Sequence, residues 1–216
     1  MVPFESLPLS LVIIFLAVAL TFTVIGIGTI CWVVVQLFSI PGVVVHEFAH
    51  ESACRLVGVR VLEVVYFQLG DPAGYVRHEQ PARYRETFVI CVAPFLVNTA
   101  VALVAFVGLT LVVGTLEEPA SLESVLSAPQ QTLLAGFGLA WLGLSVGMAA
   151  FPSTGDANQL WTRSRLEWKR SPLVLLGLPV VAVIYLANVL SWLWADVLYT
   201  LGLLVLAFSL VGISLG

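Results

Sequence analysis

Charge is what this sequence has least of. Only 10% of its 216 residues are charged, where a soluble domain carries about a quarter. Lysine is nearly absent, with Lys169 alone against eight arginines. Five stretches, Ser6–Val45, Thr87–Leu116, Ser124–Gly155, Ser171–Ala195 and Val197–Gly216, contain no Asp, Glu, Lys or Arg. Apolar runs of about 18 or more residues read as membrane spans, which excludes a soluble enzyme, a secreted disulfide scaffold and a nucleic-acid binder. Cysteine is also scarce: Cys31, Cys54 and Cys91 are odd in number, widely spaced and form no CxxC pair. Neither a disulfide framework nor a thiolate zinc site follows from them. The opening residues MVPFESLP lack the positive region of a signal peptide, so the apolar stretch after them is expected to remain as a span.

What is present is an all-α polytopic membrane pattern, read as a single domain over 1–216. Six spans are expected at about 7–40, 41–58, 87–114, 132–151, 172–190 and 197–215. The first is longer than a bilayer needs and must tilt or bend, with Gly26 and Gly28 as bending points. Pro41-Gly42 separates it from the second, which is only roughly 25 Å long by helical rise. Between spans two and three, Val61–Leu69 is β-branched and aromatic and Gly70-Asp71-Pro72-Ala73-Gly74 supplies turn chemistry. This predicts a small β-hairpin at the membrane edge. All nine basic residues fall between spans two and three (Arg55 to Arg85) or between spans four and five (Arg163 to Arg170). The positive-inside rule makes both places cytoplasmic, and six alternating spans then put both termini there.

Within the second span stands His46-Glu47-Phe48-Ala49-His50. Residues four apart share a helix face, so both imidazoles can hold one Zn²⁺ while Glu47 reaches a metal-bound water. Ionisable groups at membrane depth are costly and usually functional, and Glu51 adds another. Zinc held by two His needs a third protein ligand. Asp156 ends a charge-free run beside Pro152 and Gly155 and can either swing toward a metal or cap the helix that follows. Asn98, an amide deep in the third span, suits either a developing oxyanion or a helix–helix hydrogen bond. His78 belongs to the hairpin and is not taken as a ligand.

Together His46-Glu47-Phe48-Ala49-His50, Ala93-Pro94-Phe95-Leu96-Val97-Asn98 and Pro152-Ser153-Thr154-Gly155-Asp156-Ala157 resemble the motifs of the site-2 protease family of intramembrane zinc metalloproteases. The resemblance covers roughly Gly42–Asn158 and is to a divergent, compact prokaryotic branch without a PDZ domain. Asn98 is one residue further from its Pro than is common, Ala157 replaces Gly, and Thr154-Gly155 replaces Pro-Leu. The resemblance implies that His46, His50 and Asp156 ligate Zn²⁺, that Glu47 is the general base, and that Asn98 contacts substrate or transition state.

The expected activity is a zinc endopeptidase of regulated intramembrane proteolysis. It would cut a transmembrane or membrane-edge protein segment near the cytoplasmic side of the cell membrane. By helical rise the metal should lie roughly 12 Å inside the membrane. The substrate must unwind to expose its amides, and strand Val61–Leu69 is expected to hold it by β-addition, with Val61, Val65 and Phe67 as contacts. The alternatives are a prenyl-protein-type HExxH membrane protease, which would take a distant Glu as third ligand, and a non-catalytic metal-binding scaffold.

Overall fold

The computed structural model describes residues 8–116, 122–168, 173–191 and 194–212. Glu117, Glu118, Lys169 and Arg170 of the charged connections lie outside the described residues. The described chain is helical apart from one two-stranded antiparallel sheet, and it falls into two compact units, 1–38 and 39–216.

The first unit is helix α1, Leu9–Phe38. It is one continuous helix through Gly26 and Gly28. At about 1.5 Å per residue it is roughly 45 Å long, more than a bilayer core of about 30 Å, a mismatch that tilting or bending accommodates. Its few hydroxyls suit lipid: Thr21, Thr23 and Thr29 each donate to the carbonyl four residues back, at 2.8, 2.9 and 2.9 Å.

The second unit holds everything else. Helix α2 (Ile40–Leu56) has Pro41 in its first turn, where the missing N–H costs nothing. Strands β1 (Val61–Val65) and β2 (Tyr75–His78) follow, then α3 (Tyr84–Val113), the short α4 (Leu122–Ser127) and α5 (Gln130–Met148). The chain ends in α6 (Thr154–Glu167), α7 (Leu173–Ser191) and α8 (Ala195–Val211). Among the described residues, α1, α3 and α5 are long and apolar enough to cross a membrane. Gly177–Ala187 within α7 and the whole of α8 are shorter apolar helices. Helix α6 is the helix expected after Asp156, and it reaches into the basic connection as far as Glu167; Asp156, Ala157, Leu160 and Ser164 give it one buried stripe at the spacing of a helix face.

Helix α3 is the central post. With α5 and α8 it encloses Ala102, Phe106, Val146, Leu203 and Ala207. Tyr84 and Cys91 meet Leu160 of α6 and Val174 and Val181 of α7, while Ile90 packs on Ala53 and Cys54 of α2. The approach of α2 to α5 depends on Gly42. Its N–H donates to Ser145 Oγ at 2.9 Å, and any Cβ there would run into the Ser145 carbonyl. Small residues at such crossings let helix backbones come together where lipid supplies no hydrophobic drive.

Candidate metal centre

Helix α2 brings His46, Glu47 and His50 to one side, facing the start of α6. Each imidazole is anchored through Nδ1 on a backbone carbonyl. His46 Nδ1 lies 2.8 Å from Ala149 O at the end of α5, and His50 Nδ1 lies 3.0 Å from Ile90 O of α3. A carbonyl only accepts, so each ring donates from Nδ1 and keeps the Nε2 lone pair for another partner. This is the arrangement that orients metal-binding histidines. His50 Nε2 is 3.5 Å from Asp156 Oδ1.

Asp156 is fixed from behind. Pro152 follows the end of α5 and disfavours continued helix in the residue before it; Ser153 then caps α6. The Ser153 N–H and hydroxyl donate to Asp156 Oδ2 at 2.8 and 2.7 Å, and the Asp156 N–H returns to Ser153 Oγ at 3.1 Å. This reciprocal box uses one carboxylate oxygen and leaves Oδ1 toward His50. The capping role of Asp156 and its approach to the imidazoles are therefore compatible, although the N-cap itself is Ser153. The two Ser153 donors on Oδ2 favour the charged form of the Asp156 carboxylate.

One ligand atom from each of His46, His50 and Asp156 lies within 4.8 Å of the other two. Two imidazole lone pairs and an anionic oxygen are a donor set that suits a first-row divalent cation, and this group can hold a metal ion. His78 is not in that group. Its Nδ1 lies 2.7 Å from Glu79 O, though the residue borders the same cleft.

The cleft has a volume of about 460 Å³ and is lined by the buried Glu47 beside the three candidate ligands. Its outer wall comes from the hairpin, and here the strand differs from expectation. Among the described residues, β2 and the turn before it line the cleft, whereas Val61, Val65 and Phe67 do not. Val61 packs instead against the Ala53, Cys54 and Ile90 cluster. The reason is tethering: Tyr66 at the end of the β1 side donates its hydroxyl to Glu51 of α2, which also accepts from Arg55. That holds β1 along α2 and leaves β2 beside the metal group. The turn lies so close that a Cβ at Gly74 would come within 2.8 Å of both Glu47 Cγ and Val43 Cγ1.

Asn98 is fully buried and does not line the cleft. Its Nδ2 donates to the carbonyls of Gly42, Val146 and Ala149 at 3.4, 3.3 and 2.9 Å. It ties α2, α3 and α5 together and shares the Ala149 carbonyl with His46. Sequence reasoning missed Ser153 and Gly74. The Ser-x-x-Asp spacing could have revealed the first; nothing in the sequence marks the second, whose role comes from tertiary contact.

Comparison with known protein families, with curated proteins and with solved structures finds no match. The functional reading therefore rests on the geometry of this centre.

Proposed function

We propose that this protein is an intramembrane zinc endopeptidase. The observation that carries the reading is a general-base candidate, Glu47, lining one cleft with three convergent ligand groups and an unpaired strand edge. The resemblance of its three motifs to the site-2 protease family supports the same reading. In this proposal α1, α2, α3, α5, α7 and α8 are the six spans, and α6 lies at the cytoplasmic side with Arg163 and Arg165.

His46, His50 and Asp156 would hold the zinc, and a bound zinc supplies Lewis acidity for the scissile carbonyl and for water. Glu47 accepts the proton of the attacking water and returns it to the leaving amine. Asp156 stays anionic under the two Ser153 hydrogen bonds, and the carbonyl anchors keep both imidazoles neutral at Nε2. The backbone of β2 supplies the substrate rail. Ala73 O accepts from Gln68 N at 2.7 Å and Glu79 N donates to Arg60 O at 2.9 Å. Odd-numbered positions of this segment thus turn their polar backbone groups toward the β1 side. By alternation, Gly74, Val76 and His78 turn theirs outward, and all three border the cleft. An unwound substrate can add there as a third strand.

The test uses a single-span protein with a helix-breaking Gly-Pro near its cytoplasmic end, reconstituted with the purified chain. Cleavage is expected from the wild type. Glu47→Gln should lose about 10²–10⁴-fold in rate with its zinc retained, and His50→Ala should lose both. Asp156→Ala should lower zinc content whereas His78→Ala should not. Wild-type cleavage by zinc-loaded Glu47→Gln would sink the mechanism, and zinc binding without any cleavage across a panel of such substrates would favour a scaffold.

A further inference from the structure

The middle of α3 carries a proline whose place in the site is visible only when its missing hydrogen is considered. Pro94 is fully buried inside α3, four residues after Ile90. In an α-helix the Ile90 carbonyl would accept from the N–H of residue 94. Proline has no N–H, and its ring crowds that same carbonyl and tilts it off the helical line. A buried carbonyl left without a donor is costly. The donor it finds is His50 Nδ1, 3.0 Å away on α2.

The two candidate metal-binding imidazoles obtain their anchors in different ways. The Ala149 carbonyl that holds His46 follows the last residue of α5, where carbonyls have no helical partner in any case. The Ile90 carbonyl lies inside a 30-residue helix. That helix continues to Asn98 and on to the packing of Phe106 against Val146, so it cannot end at Ile90. Within such a helix, a residue lacking an N–H at position 94 is the direct way to release the carbonyl of residue 90.

We propose that Pro94 is a positioning residue of the candidate metal centre: by leaving the Ile90 carbonyl without a helical donor, it sets His50 as the Nδ1–H tautomer with Nε2 turned toward Asp156. Any residue with an N–H at this position brings a second donor to the Ile90 carbonyl and draws it back toward the helix axis. The His50 anchor is then weakened, and with it the setting of Nε2 toward the cation. The tautomer assignment stands on the protein alone; its consequence for metal affinity rests on the metal reading above.

The experiment compares three full-length chains in the same detergent: wild type, Pro94→Ala, and a chain in which Pro94 is replaced by lactic acid. The last substitution makes the backbone link an ester, so it removes the proline ring without introducing an N–H. Each is labelled with ¹⁵N-histidine, which reports only three side chains, and His50→Asn identifies the resonances of His50. Cobalt(II) affinity is measured separately by absorption titration against a chelator.

In the metal-free wild type and the ester chain, His50 is expected as the Nδ1–H tautomer, with equal cobalt affinity. Pro94→Ala should lose that tautomer preference and bind cobalt about 10–100-fold more weakly, the usual effect of removing a partner behind a metal ligand. Wild-type tautomer and affinity in Pro94→Ala would overturn the proposal, as would an ester chain that falls as far as the alanine variant. A Pro94→Ala chain that does not fold leaves the ester chain to decide, since retention there supports the role and loss refutes it. Failure of the wild type to bind cobalt would count against the metal reading, while the tautomer comparison would still decide the role of Pro94.

Discussion

Asn98 illustrates how much a single buried amide can hold. Its Nδ2 reaches carbonyls of two other helices, and one of those carbonyls also anchors His46. An amide in a fully apolar run is costly unless paired; here Nδ2 is paired across helices, while Oδ1 is buried without a partner among the described residues. Asn98→Ala removes the donor and leaves buried carbonyls short of a partner, at a cost of about 1–3 kcal/mol. A lowered thermal midpoint in detergent is therefore expected, with loss of metal as a secondary effect through His46. Should Asn98→Ala melt like the wild type and yet lose cleavage alone, the transition-state role implied by the family resemblance would be the better account. The same scale explains Gly74. Its lack of a side chain lets the turn lie against Glu47 and Val43, so the general-base candidate is walled on its outer side by backbone.

At the scale of elements, the hairpin shows how two similar strands acquire different roles. Both are short, and in composition β1 is the more apolar, so a reading of residue types favours it as the substrate rail. The Glu51–Tyr66 contact decides otherwise by tethering the β1 side to α2, and β2 becomes the cleft wall. Its alternation makes a sharp test. Val76 turns its N–H outward, away from the β1 ladder, and proline is tolerated on such an edge. Val76→Pro should therefore keep the fold and the metal while raising KM roughly 2- to 10-fold, the worth of one main-chain hydrogen bond. Tyr75→Pro should instead break the ladder, because that N–H faces β1. Equal KM for Val76→Pro and the wild type would remove β2 as the substrate rail. Helix α6 is the other element with a tertiary task. It presents Asp156 from its first turn, and Arg163 further along donates to the carbonyls of Pro81 and Ala82 at 2.7 and 2.6 Å. The turn that carries Asp156 is thus hooked to the segment that leads from β2 into α3.

At the scale of the whole molecule, the six-span proposal puts α4 outside and α6 in the cytoplasm. Single cysteines at Ser127 and Arg165, both exposed, should label from opposite sides of sealed vesicles, Arg165→Cys from the cytoplasmic one. Cys31 is exposed and must first be replaced, whereas Cys54 and Cys91 are buried. Ser164 would report poorly, because it lies beneath Tyr84 with its hydroxyl bonded to Leu160 O. Labelling of both sites from one side would end the six-span arrangement.

Much of this was readable in the chain itself, for physical reasons. Charge-free runs mark apolar helices because bilayer and helix core both reject unpaired charge, and the four-residue spacing of His46 and His50 places two rings on one face in any helix. The same spacing argument puts Asp156 near Ser153 through a local capping box. What the sequence could not carry is anything decided by contact across the fold. A helix after Asp156 is legible from its cap, but which of its faces is buried is not, because its apolar stripe is narrow. The choice of β2 over β1 depends on a tether between residues fifteen apart, and the amide of Asn98 acquires its role from carbonyls about fifty residues away in either direction. The convergence of His46, His50 and Asp156 spans more than a hundred residues. Periodicity reports local geometry only, and such long-range meetings arise from how helices of given length and small-residue placement, Gly42 above all, are able to pack.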